Sequence, residues 1–266
     1  MLLVDERDIG NVRIITLNHK NKHNPFSEEL ENQTKKALNR AKEDDRVKAI
    51  IVTGGKDRSF SVGGDFNEVS LLSGEDDVDR WIDRVIDLYA SVLQIDKPTI
   101  AAIDGYAIGM GLQFALMFDW RIITSTAELQ MPELRAGIGC SLGSAILRHA
   151  IGYNAMQEIV FACESITPEM AKSYHLVNQI VPSEMLLEKA LLRAQEFANY
   201  PQIPYSLTKH TMTASMLETI YKSAAESKQV HRLSFSSKSP QAHFSRILKH
   251  PVASATTNEV DQLKDE

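Results

Sequence analysis

Gly105-Tyr106-Ala107-Ile108-Gly109-Met110-Gly111-Leu112-Gln113 is a glycine-rich turn that runs directly into an apolar helix, and the rest of the chain can be read outward from it. Just upstream, Lys97-Pro98 stops a preceding helix, Thr99–Ile103 suits a buried strand, and Asp104-Gly105 makes a turn. Just downstream, residues 111–117 read as a buried helix and residues 121–124 as another strand. Strand, turn, helix, strand is the repeating unit of an α/β protein with a parallel sheet.

The alternation extends toward the N-terminus. Val12–Leu17 and residues 47–53 are short apolar runs rich in β-branched residues, and a helix lies between them. Ser27 is its N-cap, Glu28 and Glu29 sit at the positive end of its dipole, and Leu30, Ala37, Leu38 and Ala41 form its apolar face. A second helix is marked by Val78, Trp81, Ile82, Val85, Ile86, Tyr89, Val92 and Leu93 at spacings of three and four. Beyond residue 140 helices dominate. Thr167-Pro168-Glu169 opens one, and Ser183 opens another after the strand-like residues 176–181. From Pro201 onward the chain reads as helical. The expected organisation is a core over residues 1–200, a helical region over 201–251 and a disordered polar tail over 252–266.

With 266 residues and 43% hydrophobic content the chain can bury a full core. Its net charge of −6 argues against nucleic acid or an anionic membrane as partner and favours a small molecule. Cys140 and Cys163 are too few for a disulfide scaffold and lack metal-ligand spacing, so no metal is expected. The acidic start and the lack of a long apolar run predict a soluble, cytoplasmic protein.

Three segments depart from ordinary core sequence. In Ser59-Phe60-Ser61-Val62-Gly63-Gly64-Asp65-Phe66, paired glycines after a strand allow backbone N–H groups to point into a pocket, although a tight turn alone would also explain them. The stretch from Gly105 to Gln113 ends in a helix N-terminus, which offers free N–H donors to an anion. Two such turns can build a two-donor oxyanion hole. In Leu129-Gln130-Met131-Pro132-Glu133-Leu134-Arg135-Ala136-Gly137-Ile138-Gly139, Glu133 stands among apolar and small residues, where a carboxylate needs either a task or a partner. An ion pair with Arg135 is the purely structural alternative.

In this order and spacing, with Lys97-Pro98-Thr99-Ile100-Ala101-Ala102 ahead of the second turn, the three segments resemble the crotonase (enoyl-CoA hydratase/isomerase) superfamily over almost the whole chain. The resemblance implies a spiral of repeated ββα units, a C-terminal helical region used for trimerisation, and a coenzyme A thioester as substrate with no prosthetic group. It implies a homotrimer or a dimer of trimers. It matches the N–H groups of Gly64 and Met110 to the oxyanion-hole donors and Glu133 to a catalytic carboxylate. It also assigns Lys22, Ser61, Gly63 and Asp65 to coenzyme A binding, Ser61 through its backbone; for Lys22, an idle surface lysine is the alternative.

Hydratases of this superfamily carry two glutamates, whereas Gln113 occupies the first of those positions here. An amide orients a ligand but does not exchange a proton near neutral pH, which disfavours ordinary hydration. Within the superfamily, residues 23–27, 63–69, 81–89 and 104–119 resemble the carboxymethylproline synthases of carbapenem biosynthesis. That resemblance implies decarboxylation of malonyl-CoA, attack of the enolate on pyrroline-5-carboxylate, and hydrolysis of the thioester. It places Trp81 and Gln113 on the substrate pocket and lets His231 meet the imino-acid carboxylate. Core packing for Trp81 and an exposed helix position for His231 are the structural alternatives. An enoyl-CoA hydratase or isomerase working with Glu133 alone is the competing function.

Overall fold

The structure, a computed structural model, describes residues 2–249, so the tail expected over 252–266 lies outside the described residues. Strands β1 (Val4–Ile9) and β2 (Val12–Leu17) form an antiparallel hairpin, and α1 (Glu28–Glu43) leads to β3 (Ala49–Thr53), parallel to β2. After α2 (Phe66–Val69) and α3 (Glu75–Leu93), β4 (Thr99–Ile103) joins β3 in parallel. The chain continues through β5 (Tyr106–Ile108), α4 (Met110–Ala115), β6 (Trp120–Thr124) and β7 (Glu128–Gln130). Next come α5 (Ser141–Ile151), α6 (Tyr153–Ala162), β8 (Ser165–Ile166), α7 (Pro168–Ser173) and β9 (Gln179–Val181). Four helices follow: α8 (Leu186–Ala198), α9 (Gln202–Lys222), α10 (Ala224–Ser236) and α11 (Ser239–Lys249).

Two sheets result. One runs β1-β2-β3-β4-β6-β9 and the other β5-β7-β8. Ser61, in the loop after β3, bridges to Ala107 of β5, so the turns that supply β3, β4 and β6 to the large sheet each also supply a segment beside the small one. That is the expected ββα spiral. Every residue of β3 and β4 is buried, as strands covered on both faces require. One face packs under α1 and α3. The other lies under α8, whose Ala190, Ala194 and Ala198 permit close approach to Ile51, Ile100 and Ile122.

The expected helices and strands of the first 124 residues form with shifts of a few residues at most, and Ser27 Oγ caps α1 by accepting from Leu30 N–H at 3.2 Å. The strand expected over 176–181 shortens to β9, and the helix expected from Ser183 begins with one 3₁₀ turn at Ser183–Met185.

Candidate active site

The spiral brings the two glycine turns side by side. At Gly63, φ is +88°, and a Cβ there would stand 2.9 Å from the Ile108 carbonyl and 3.4 Å from Met110 N, so only glycine allows this approach. Phe26 N–H donates to Gly63 O and Asp65 N–H to Phe26 O, which turns the intervening Gly64 N–H away from that pairing. Met110 is the first residue of α4, and Gln113 N–H closes the turn onto Gly109 O at 2.9 Å. Neither Gly64 N–H nor Met110 N–H has a partner among the described residues. Both residues line one apolar cavity together with Gly63, Trp81, Gln113, Glu133, Cys140 and His231.

Glu133 enters this cavity from the loop after β7. Its Oε1 lies 3.2 Å from where a Cβ at Gly109 would stand, so that glycine, at φ +53°, leaves room for the carboxylate. Gln113 Nε2 donates to Oε1 at 2.9 Å, and the Tyr89 hydroxyl donates to Gln113 Oε1 at 3.1 Å. Glu133 as a residue keeps some contact with solvent, yet its Oε2 is shut off from solvent and unpartnered. Burial pushes its pKa up to about 7, against smaller opposing effects of its own backbone N–H, Gln113 and the Cys140 thiol. No ion pair with Arg135 forms; Arg135 is exposed and donates to Ala162 O. A carboxylate poised near neutrality beside two free N–H donors can activate water or carry a proton next to a developing oxyanion.

Trp81 and His231 also line the cavity. Trp81 is buried, its ring meets those of His231 and Phe235 edge-on at 5.6 and 5.8 Å, and its Nε1–H is buried without a partner. Packing and pocket lining therefore coincide at this residue. His231 is buried in α10, not exposed, and burial lowers its pKa. Its Nδ1 lies 2.7 Å from Ser227 O; since a carbonyl only accepts, Nδ1 carries the proton and Nε2 holds a lone pair. His231 must gain a second proton before it can attract a carboxylate.

Three of the residues expected at coenzyme A have other contacts or stand apart from the cavity around Glu133. Ser61 is fully buried: its N–H donates to Tyr106 O, its carbonyl accepts from Ile108 N–H, and its hydroxyl donates to Asn24 O, so its backbone is paired with β5. Asp65 caps α2, accepting from Asn67 N–H at 2.9 Å and Asn67 Nδ2 at 2.7 Å, which commits Oδ1 of its buried carboxylate. Lys22 is exposed on a separate polar cavity with Arg58, Asp57, Asp104 and Glu128, away from the group around Glu133. Sequence reasoning missed Tyr89 as a polar partner of the site and Cys140 and Phe244 as part of its wall. A hydroxyl at an otherwise apolar helix position was the available signal for Tyr89.

The family model for enoyl-CoA hydratase/isomerase matches residues 8–247. The chain belongs to that family, and it is an acyl-CoA enzyme with the crotonase fold. A carboxymethylproline synthase of Pectobacterium carotovorum subsp. carotovorum is 50% identical over 246 residues, 92% of this chain and 98% of that one. The mitochondrial enoyl-CoA hydratase of Pongo abelii is 30% identical over 236 residues, 88% and 80% of the two chains. The solved structure of ThnE from S. clavuligerus superimposes with a TM-score of 0.76 at 31% identity, covering 85% of this chain and 100% of that one.

Proposed function

We propose that this enzyme acts as a carboxymethylproline synthase does in name: it makes a carboxymethylproline from malonyl-CoA and pyrroline-5-carboxylate. The observation that carries the reading is the pairing of Glu133 with an amide, Gln113, where hydration calls for a second carboxylate. Loss of carbon dioxide needs no acid or base. It needs a place for the enolate oxygen, and the free N–H groups of Gly64 and Met110 supply one; losing one such donor typically costs about 10²–10³ in rate. The enolate carbon attacks the imine carbon of pyrroline-5-carboxylate along the wall of Trp81 and His231. Glu133 then activates water, or attacks the thioester itself, to release the product from coenzyme A. Gly63 and Lys22 serve coenzyme A, and residues 201–251 serve assembly into a trimer or a dimer of trimers in the cytoplasm. The half-identical synthase relative supports this reading.

A second reading, an enoyl-CoA hydratase or isomerase using Glu133 alone, draws on the hydratase relatives and on a carboxyl group with a pKa of about 7. Purified enzyme given malonyl-CoA and pyrroline-5-carboxylate distinguishes them. Release of carbon dioxide and carboxymethylproline is expected; turnover of crotonyl-CoA without either product overturns the synthase reading.

A further inference from the structure

A buried chain of three polar groups runs from α3 to the cavity, and the chemistry above uses only its far end. Tyr89 has no exposed surface, and its hydroxyl oxygen lies 3.1 Å from Gln113 Oε1 and 3.3 Å from Met110 O. Gln113 Nε2 lies 2.9 Å from Glu133 Oε1. The two ends of an amide are told apart by their partners alone. The single hydroxyl proton of Tyr89 therefore decides the sense of the chain. Given to Gln113 Oε1, it fixes Nε2 toward Glu133, where the N–H favours a carboxylate. Given to the Met110 carbonyl, it lets the amide turn over and present Oε1 to Glu133, an arrangement that only a protonated Glu133 can join as donor.

The other titratable groups around the chain do not compete for this role. Burial raises the pKa of the Tyr89 hydroxyl and of the Cys140 thiol ahead of α5, so both stay protonated. Burial disfavours a charge on His231 of α10, whose Nδ1–H donates to Ser227 O, and Glu31 on α1 is paired with Arg84 at 3.1 Å. A fourth side is closed by α5: a Cβ at Gly143 would stand 2.5 Å from Met131 Cε, 2.8 Å from Cys140 Sγ and 2.9 Å from Gln113 Nε2.

We propose that Tyr89 is a positioning residue, orienting the Gln113 amide so that Glu133 Oε1 is held and the unpartnered Oε2 is left to take up and give back the proton. This rests on the reading that the Glu133 carboxylate performs chemistry on the thioester. The test has a readout that does not depend on that reading: pH-difference infrared spectroscopy of the carboxyl band of Glu133, isolated by subtracting Glu133→Gln spectra. Tyr89→Phe should raise the Glu133 midpoint by about half to one pH unit, as expected when a charge-assisted hydrogen bond is weakened without being abolished. The acid limb of thioester hydrolysis should move by the same amount, with kcat reduced and KM unchanged. In a Gln113→Leu background, Tyr89→Phe should add no further shift. A midpoint unmoved in folded Tyr89→Phe, or moved equally in the Gln113→Leu background, overturns the proposal. Should Tyr89→Phe not fold, Gln113→Leu alone removes the amide that Tyr89 orients; it should raise the midpoint at least as far, and an unmoved value there is equally fatal. Absence of carbon dioxide release by the wild-type enzyme would sink the synthase reading while leaving the infrared result intact.

Discussion

Glu133 is held between two opposing effects, and the balance is measurable. Burial raises its pKa from an ordinary glutamate value near 4.5 to about 7, while Gln113 opposes the rise. Thioester hydrolysis should therefore increase with pH through about 7, as the carboxylate forms, and then level off. Carbon dioxide release from malonyl-CoA, which relies on the Gly64 and Met110 donors, should be flat across the same range; parallel pH profiles for the two steps would refute the division of labour. The stability consequence has the opposite sign. A raised carboxyl pKa means that the folded state binds more protons than the unfolded chain between about 4.5 and 7, so stability falls as pH rises across that window. Glu133→Gln should stabilise the protein by on the order of 1–3 kcal/mol at pH 8 and by nothing below pH 4, in thermal melts at the two pH values. The sequence revealed this carboxylate because it stands among apolar neighbours within a short motif. It did not reveal the Tyr89 partner or the burial of His231, because residues 89, 113, 133 and 231 meet only through tertiary folding. The structural pairing of Ser61 and Asp65 was hidden for a related reason: their hydrogen bonds to Asn24, β5 and Asn67 form only once the loop is folded.

Among the elements, those with a clear period were legible. The 3.6-residue stripe of α3 and the β-branched runs of β2, β3 and β4 each bury what the pattern assigns. The small sheet was not, since β5, β7 and β8 have two or three residues each, too short to carry an alternation, and β5 lies inside a glycine turn. β1 was hidden by its acidic, outward residues, because a strand that pairs on one side and faces water need not be apolar. The last helix among the described residues, α11, shows how an element far along the chain completes the site. Its Phe244 is fully buried, 4.4 Å ring to ring from Phe66 on α2, and lines the cavity. Removing that ring should release α11 locally without unfolding the spiral, since terminal elements open below the global transition. Phe244→Ala should speed proteolytic cleavage within residues 239–249 and raise KM by up to about tenfold, equivalent to about 1.4 kcal/mol of lost contact. Unchanged protection and unchanged KM would show that α11 is a passive cover.

At the scale of the molecule, α9 buries little of itself against its own chain. It has 21 residues, yet only Lys209, Met216 and Ile220 are buried. Its anchor is polar: Lys209 Nζ lies 2.6 Å from Asp119 Oδ2 and 2.8 Å from Lys97 O, just ahead of the first residues of β6 and β4. A buried ion pair fixes geometry but adds little net stability after desolvation, so α9 gains less from this docking than an apolar seam would give. Meanwhile Ile203, Leu207 and Met212 on α9 are 73%, 63% and 71% exposed, and Leu233 on α10 is 64% exposed. Scattered single apolar residues are ordinary, but several on two neighbouring terminal helices mark a surface that burial in a partner would stabilise. If the proposed trimer or dimer of trimers forms, sedimentation at micromolar concentration should give three or six times the mass of one chain. A charge at the centre of the patch should oppose this association without touching the cavity around Glu133: Leu207→Lys should weaken it at least about tenfold, the equivalent of about 1.4 kcal/mol. A wild-type chain that sediments as a monomer, or a Leu207→Lys variant indistinguishable from it in mass, would show that the bare faces of α9 serve some purpose other than joining copies of this chain.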